Sequence, residues 1–270
     1  MPTWVDGQRT DELAAADRGL NLGDGHFSTL RVSGGRIVAW PLHRQRLQHA
    51  CGRLSMGQPD WTALQHTLDQ ALSHCDPAEA VIKVVITRGC QGRGYDPILD
   101  RPPTVIVSTF DYPKHYLNWQ QHGVTLVTAR LRLGAQPALA AMKTLGRLEQ
   151  VLLRRELSQY SADDLLVLDN DGRVIEASAA NLFLIRGQRL ITPSLARCGV
   201  AGVMRHQLLR SAADHGWTLE VRDVARDELQ HCDAAFMTNA LMGAVPVIRI
   251  DDRPVPISPS ISDIQRLLLC

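Results

Sequence analysis

The chain has 270 residues, a formal net charge of +1 and a hydrophobic content of 45%. This length is enough for one or two domains, and the near-zero charge gives no global field that would attract nucleic acid or an anionic membrane. No apolar run approaches the roughly 20 residues that a transmembrane helix needs, and the first residues carry acids and lack the apolar region of a secretory signal. We therefore expect a cytoplasmic protein that binds neither nucleic acid nor a membrane.

The six cysteines and ten histidines are spaced widely and irregularly. No two cysteines form a CxxC pair and no two histidines form an HExxH pair, which are the spacings typical of zinc sites. We therefore expect no metal, and we predict that most cysteines are buried or incidental free thiols in a reducing compartment.

The first third of the chain alternates short strands with helices. Apolar alternation predicts strands over residues 36–42, 80–89 and 103–112. Apolar residues at helical spacing predict helices over residues 43–56 and 61–74.

A domain boundary is predicted at residues 113–122, a polar segment without clear periodicity. It separates an N-terminal α/β domain, residues 1–112, from a C-terminal domain, residues 123–270, in which strands, two hairpins and several helices follow one another. This mixture is an α+β pattern rather than a regular βαβ series. The glycine motifs of dinucleotide-binding proteins, of P-loop proteins and of serine hydrolases do not occur.

Lysine is scarce in this chain, since only three of the 29 basic residues are lysines: Lys83, Lys114 and Lys143. An arginine keeps its proton, whereas a lysine can be tuned to act as a base or to form a Schiff base. Lys83 lies within a predicted strand, and Lys114 lies in the polar segment, where water is expected to solvate it.

Lys143 lies where a segment containing glycine and proline gives way to a predicted helix. The main apolar stripe of that helix is expected to consist of Leu145, Leu148 and Leu152. The spacing leaves two interpretations open. Lys143 is either a solvated lysine at the start of a helix, or a lysine at the end of an element that faces a cleft, where partial desolvation would lower its pKa.

Three further features are compatible with an anionic, heteroaromatic ligand. Glu176 ends a predicted strand, where it is either exposed to water or the partner of a protonated ring nitrogen. Residues 199–205, "GVAGVMR", precede a helix, so the N–H groups of Val203 and Met204 are suited to phosphate, although an ordinary helix entry has the same pattern. Arg46 could add a bidentate cation to such an anion.

Together, seven segments carry a specific resemblance. They are "DRGLNLGDGHFSTLRV", "HRQRLQHACGRL", "KVVITRGCQGRGY", "KTLGRLEQVLLR", "VIEASAANLF", "GVAGVMR" and "NALMGAVPV". In this order they resemble the motifs of the fold-type IV pyridoxal-phosphate enzymes, a family that includes branched-chain and D-amino acid aminotransferases. The resemblance extends from about residue 4 to residue 250, and "GDGHFSTLR" and "KTLGRLEQVLLR" are most similar to the 4-amino-4-deoxychorismate lyases within it.

The resemblance implies a homodimer of two-domain chains, with a smaller N-terminal α/β domain and a larger C-terminal domain that has a β-barrel-like core. It implies that Lys143 forms the Schiff base with pyridoxal 5'-phosphate and acts as the base. Glu176 matches the acid that pairs with the pyridine nitrogen. Arg46 and the backbone of Val203 and Met204 match the phosphate site.

Further positions follow from the same resemblance. Asn239 matches a contact on the phosphate side, where Ala240 cannot supply the hydroxyl of a threonine common in the aminotransferases. Thr29 matches a threonine near the cofactor, as a helper in proton transfer. Arg93 and Tyr95 match positions that face the carboxylate of the substrate.

The implied reaction converts 4-amino-4-deoxychorismate to 4-aminobenzoate and pyruvate, a step of folate biosynthesis. Two alternatives stay open. One is a D-amino acid or branched-chain aminotransferase with the same cofactor. The other is a binding protein without catalysis, such as a cofactor carrier or an arginine-rich nucleic-acid module, and the low net charge argues against the module.

Overall fold

The computed structural model describes residues 1–269, and the chain divides into two compact units. Unit 1 consists of Met1–Pro113 and Lys143–Gly146, and unit 2 consists of Lys114–Met142 together with the chain from Arg147 onward. This division differs from the sequence prediction in two respects. Residues 114–122 belong to unit 2 rather than to a linker, and Lys143 belongs to unit 1 rather than to the C-terminal domain.

Unit 1 is an antiparallel sheet with three helices. Its strands are β1 (Thr3–Val5), β2 (Gln8–Arg9), β3 (Gly25–Ser33), β4 (Arg36–Ile37), β5 (Glu79–Thr87) and β6 (Thr104–Asp111), in the sheet order β2-β1-β6-β5-β3-β4. Its helices are α1 (Arg18–Leu22), α2 (Trp40–Arg53) and α3 (Trp61–Leu72). Alternate residues of β3 and β5, such as Leu30 and Ile82, pack in one core cluster with Leu47 of α2 and Leu68 of α3. Since side chains alternate between the two faces of a strand, α2 and α3 cover one face of the sheet.

Helix α2 begins inside the strand that was predicted over residues 36–42. Strand β4 covers only Arg36–Ile37, and the helix starts at Trp40 with Pro41 in its first turn. Proline is favourable there because the first N–H groups of a helix have no partner within the helix.

The segment that contains Lys143 is extended and lies along β3. The N–H of Phe27 donates to the carbonyl oxygen of Lys143 at 3.0 Å, and the N–H of Leu145 donates to the carbonyl oxygen of Gly25, also at 3.0 Å. These hydrogen bonds attach the segment to unit 1. The helix predicted to begin near Lys143 begins only at Leu148.

Unit 2 contains four α-helices and ten strands. The helices are α4 (His115–His122), α5 (Leu148–Leu157), α6 (Val203–Ser211) and α7 (Ser260–Leu269), with short 3-10 turns at Ala213–His215 and Arg226–Gln230. The strands are β7 (Val124–Leu133), β8 (Asp164–Asp169), β9 (Arg173–Ala177), β10 (Asn181–Arg186), β11 (Arg189–Pro193), β12 (Thr218–Arg222), β13 (Val224–Ala225), β14 (Ala234–Asn239), β15 (Gly243–Ile250) and β16 (Arg253–Pro254).

Six of these strands close into a barrel in the order β7-β8-β9-β10-β14-β15. The ring closes where β9 meets β10, with Glu176 and Asn181 as register partners. Both faces of β8 are covered: Leu166 belongs to one core cluster with Leu182 and Met237, and its neighbour Leu165 belongs to a second cluster with Leu153 of α5. The predicted β-barrel-like core is therefore confirmed.

The polar segment predicted as an interdomain linker contains helix α4. None of its residues is fully buried, and its half-buried Tyr116 and Trp119 pack against the barrel core. Gln120 Nε2 also donates to the carbonyl oxygen of Met242 at 2.7 Å. Only a few side chains of α4 make these contacts, so the helix lacks the regular apolar stripe by which a helix is recognised in a sequence. No helix within residues 1–269 combines the length and the apolar character that crossing a membrane requires.

The cysteines that the structure describes are not paired in disulfides. Two are buried, two are half-buried and one is exposed: Cys51 and Cys198, Cys75 and Cys232, and Cys90, respectively. Cys270 lies outside the described residues.

Candidate active site

Lys143 and a second lysine flank the same aromatic ring of unit 1. The Nζ atom of Lys143 lies 4.5 Å from the ring centre of Phe27, and that of Lys83 lies 4.8 Å from it. Both lysines are half-buried, and burial lowers the pKa of Lys83. Lys143 is therefore not the solvated lysine at a helix start that its spacing allowed.

Thr29 lies on the same face of the sheet as these groups. It is the register partner of Lys83 and follows Phe27 by two positions on β3, so the side chains of Phe27, Thr29 and Lys83 point to one side. Thr29 is half-buried. This face carries an amine, a hydroxyl and an aromatic ring, and the Phe27 ring also contacts the amine of Lys143.

Arg46 is a half-buried cation that pairs with no acidic group within residues 1–269. Its Nη2 donates to Ser28 Oγ at 2.6 Å, and Ser28 Oγ in turn lies 2.7 Å from His43 Nδ1. Burial alone lowers the pKa of Arg46 to about 10, and its buried Nε has no hydrogen-bond partner within residues 1–269. A desolvated guanidinium with unused donors is suited to an anion such as phosphate.

Glu176 is a buried carboxylate held by the chain around it. Its side chain is only 5% exposed, and its Oε2 accepts the N–H of Val200 at 2.9 Å and Nδ2 of Asn181 at 3.4 Å. It also interacts electrostatically with Arg147 and Arg205. Glu176 is therefore not the water-exposed glutamate at the end of a strand that the sequence left open.

Asn181 also builds the entry to helix α6. Its Oδ1 accepts the N–H of Gly202 at 2.9 Å, and its Nδ2 donates to the carbonyl oxygen of Val200 at 2.7 Å. Helix α6 then begins at Val203 without a side-chain cap on its first N–H groups. Uncapped N–H groups at the positive end of a helix are suited to an anion, which agrees with the assignment of Val203 and Met204.

Asn239 stabilises its own turn. Its Oδ1 accepts the N–H groups of Leu241 and Met242, each at 2.9 Å, and its Nδ2 donates to the carbonyl oxygen of Ala179 at 3.2 Å. Its contact with phosphate stays a prediction.

Arg93 and Tyr95 lie in an exposed loop of unit 1. The side chain of Tyr95 is 89% exposed, and Arg93 is exposed as well. Arg18 fixes the loop by donating from Nη1 to the carbonyl oxygen of Gly94 at 2.7 Å. Their contact with the substrate also stays a prediction.

Four polar residues of these sites were not assigned a role from the sequence: Ser28, His43, Lys83 and Asn181. His43 could have been found, because it precedes Arg46 by three positions and shares a helix face with it. Lys83 carried the signal of lysine scarcity but lay in a strand of ambiguous burial. No local signal marks Ser28 or Asn181, since their partners lie on other elements.

Known proteins resemble this chain along most of its length. Residues 25–250 match the amino-transferase class IV family. An aminodeoxychorismate lyase of Vibrio harveyi is 38% identical over 245 residues, which cover 90% of this chain and 89% of the lyase. A D-alanine aminotransferase of Bacillus licheniformis is 24% identical over 240 residues, 88% of this chain and 83% of that enzyme.

Solved structures agree with these relatives. The crystal structure of 4-amino-4-deoxychorismate lyase from Pseudomonas aeruginosa superposes with a TM-score of 0.92 at 39% identity, covering 98% of this chain and 97% of that one. The Escherichia coli branched-chain amino acid aminotransferase shares the fold, with a TM-score of 0.86 at 19% identity over 98% of this chain and 92% of that one. The family and fold predicted from the seven motifs are confirmed: the chain belongs to the amino-transferase class IV family and has its fold-type IV structure.

Proposed function

We propose that this chain is a lyase that converts 4-amino-4-deoxychorismate to 4-aminobenzoate and pyruvate. The reaction class is supported by the half-buried amine of Lys143 beside Phe27, in a family whose cofactor is pyridoxal 5'-phosphate. The substrate is supported by the similarity to two lyases over about nine tenths or more of the chain.

The residues predicted to bind this cofactor have the chemical groups that it requires. Arg46, a half-buried cation that pairs with no acid within residues 1–269, is suited to its phosphate. The uncapped N–H groups of Val203 and Met204 are suited to the same group. The buried carboxylate of Glu176 is suited to its protonated pyridine nitrogen. Lys143 supplies the amine that bonds to it. When bound, the cofactor withdraws electrons from the carbon that carries the substrate nitrogen.

Each side chain then has a distinct task. Lys143 would take the proton from the carbon that bears the substrate nitrogen. Glu176 would stabilise positive charge on the pyridine nitrogen. The carbon–oxygen bond to the enolpyruvyl group breaks, the ring becomes aromatic, and Lys143, assisted by the hydroxyl of Thr29, returns the proton to the pyruvate carbon.

Lys83 is suited to bind a carboxylate of the substrate. It is half-buried, faces the same side as Thr29, and lies by the ring that Lys143 also contacts. The substrate carries one carboxylate on its ring and one on its enolpyruvyl group, so one ammonium can anchor it while another does chemistry.

The active form is proposed to be a homodimer in the cytoplasm. Helix α5 exposes three apolar side chains, with Leu148 78%, Val151 61% and Leu152 41% exposed. Their i, i+3, i+4 spacing forms one apolar stripe, which a second copy of the chain would cover. The unpaired cysteines agree with a reducing compartment. Light scattering on the purified protein tests the dimer, and Val151→Glu is expected to weaken it.

An aminotransferase acting on D-amino or branched-chain amino acids is the second candidate. It is supported by the relatives of that activity, which are less similar to this chain than the Vibrio harveyi lyase. The two activities differ in the co-reactant, because a transaminase requires a keto acid as acceptor and the lyase does not.

The deciding experiment incubates the purified protein with 4-amino-4-deoxychorismate and follows the fluorescence of released 4-aminobenzoate without a keto acid. Lys143→Ala is expected to abolish both product and the visible absorbance of bound cofactor, whereas Lys114→Ala, at an exposed lysine, should change neither. Absence of 4-aminobenzoate, together with conversion of D-alanine and a keto acid, would establish the aminotransferase instead.

A further inference from the structure

Two buried polar side chains, Ser28 and His43, are linked by hydrogen bonds to the half-buried Arg46. Arg46 Nη2 lies 2.6 Å from Ser28 Oγ, and Ser28 Oγ lies 2.7 Å from His43 Nδ1. Ser28 and His43 are both 0% exposed. Ser28 comes from strand β3, while His43 and Arg46 lie one turn apart on helix α2.

The charges of these side chains follow from burial. Burial and the nearby charge of Arg46 hold the pKa of His43 well below its ordinary value, so the imidazole is neutral. Arg46 can only donate, so Ser28 Oγ accepts its proton. Ser28 Oγ also pairs with His43 Nδ1, while the buried Nε2 of His43 has no hydrogen-bond partner within residues 1–269.

This arrangement orients Arg46 without neutralising it. A carboxylate in place of Ser28 would also hold the guanidinium, but it would cancel the charge that an anionic ligand needs. The neutral pair of Ser28 and His43 fixes Nη2 without cancelling the charge of the guanidinium. The buried Nε of Arg46 has no hydrogen-bond partner within residues 1–269.

We propose that Ser28 and His43 are positioning residues that hold Arg46 in one orientation while leaving its charge for the phosphate group of the cofactor. The inference rests on the phosphate role given to Arg46 in the proposed function. It assigns a task to two residues that do not touch the reacting atoms.

The test measures phosphate recognition separately from turnover. Full-length protein freed of cofactor is titrated with inorganic phosphate by calorimetry, and with pyridoxal 5'-phosphate and pyridoxal by absorbance. The variants are Ser28→Ala, which removes the hydroxyl, and Ser28→Thr, which keeps it. Ser33→Ala is the control, because Ser33 lies on the same strand and its hydroxyl donates to Glu79 instead.

Ser28→Ala is expected to weaken binding of inorganic phosphate and of pyridoxal 5'-phosphate by about tenfold to a hundredfold, the usual effect of a hydrogen bond to a charged group. Binding of pyridoxal, which lacks the phosphate, should not change. Ser28→Thr should restore phosphate binding, and Ser33→Ala should resemble the unmodified protein. His43→Phe, which keeps a buried ring but removes Nδ1, should shift phosphate binding in the same direction as Ser28→Ala.

Two results would overturn the inference. If Ser28→Ala binds both phosphate ligands normally, the hydroxyl does not position Arg46. If it weakens pyridoxal as much as pyridoxal 5'-phosphate, the loss is general damage to the fold. Either result is compatible with normal release of 4-aminobenzoate by the unmodified protein, so this inference can fail while the proposed function holds. If the unmodified protein releases no 4-aminobenzoate but the variants show the expected losses of phosphate binding, only the proposed reaction is refuted.

Discussion

Asn181 links the closure of the barrel to the start of helix α6, so removal of its side chain should destabilise both. Asn181→Ala deletes the 2.7 Å bond to Val200, the 2.9 Å bond from Gly202 and the longer 3.4 Å contact with Glu176. Each of the two short bonds contributes about 1 kcal/mol, and the partly buried groups left behind add to the loss. We expect the free energy of unfolding of unit 2 to fall by about 2–3 kcal/mol.

Gly202 provides a second perturbation of the same bond. A Cβ atom at this position would lie 2.4 Å from Asn181 Oδ1, although the backbone φ of −69° is one that alanine adopts without strain. The cost of Gly202→Ala therefore arises mainly from displacing Asn181. In a chain that already carries Asn181→Ala the obstacle is absent, so the two changes together should cost less than their sum by about 1 kcal/mol.

The assay is urea denaturation of the two single variants, the double variant and the unmodified protein, followed by far-ultraviolet circular dichroism. Asn118→Ala, at an exposed asparagine of helix α4, is the control and should leave the unfolding free energy unchanged. Titration with pyridoxal 5'-phosphate also measures the effect on cofactor binding, because Asn181 contacts Glu176. Strict additivity of the two substitutions would refute the reasoning, since it would mean that the cost of Gly202→Ala does not arise from a clash with the Asn181 side chain.

Three further predictions concern single residues. Glu176→Gln should keep the hydrogen bond from Val200 but lose the negative charge, so kcat for 4-aminobenzoate release should fall about a hundredfold or more while cofactor absorbance persists; unchanged kcat would contradict its role. Lys83→Gln should raise KM for 4-amino-4-deoxychorismate about tenfold or more with little effect on cofactor binding, measured in the same assay, and a selective loss of kcat would contradict carboxylate binding. Burial raises the pKa of Glu156, but hydrogen bonds from strand β7 and the charge of Arg130 together lower it by more. The pKa of Glu156 therefore lies below its ordinary 4.5. The stability that Glu156 contributes is thus present above that value and lost as the pH falls below it; urea denaturation from about pH 6 to about pH 3 should show a weaker pH dependence in Glu156→Gln, and an equal slope would contradict this.

Strongly periodic elements were predicted closely from the sequence. Helix α3 and strands β5 and β6 match their predicted ranges within two residues at each end, because continuous apolar patterns reflect burial along their full length. The predicted apolar stripe of α5 does not face the core of its own chain. Leu148 and Leu152 are exposed, and the buried face contains Leu153 and Leu157. An apolar stripe shows that a helix face avoids water, but it does not show whether the same chain covers that face.

The sequence predicted individual residues of the candidate site but not the hydrogen bonds that connect them to their partners. Lys143, Glu176 and Arg46 were predicted because each stands in a short motif with a chemical reason for its residue type. The partners that orient them depend on pairings that no local pattern contains: Ser28 meets Arg46 across a strand and a helix, and Asn181 meets Glu176 at the closure of the barrel.

The return of residues 143–146 to unit 1 has a consequence for biosynthesis. A nascent chain that has reached Pro113 contains all six strands of the first sheet, yet it lacks the segment that hydrogen-bonds to Phe27 and Gly25. The ribosome must add another 30 or so residues, which belong to unit 2, before Lys143 can take its place. Because contacts that are distant along the chain form late, Lys143 joins the sheet after the strands of that sheet are complete, and a chain truncated before that point would have the sheet without this lysine.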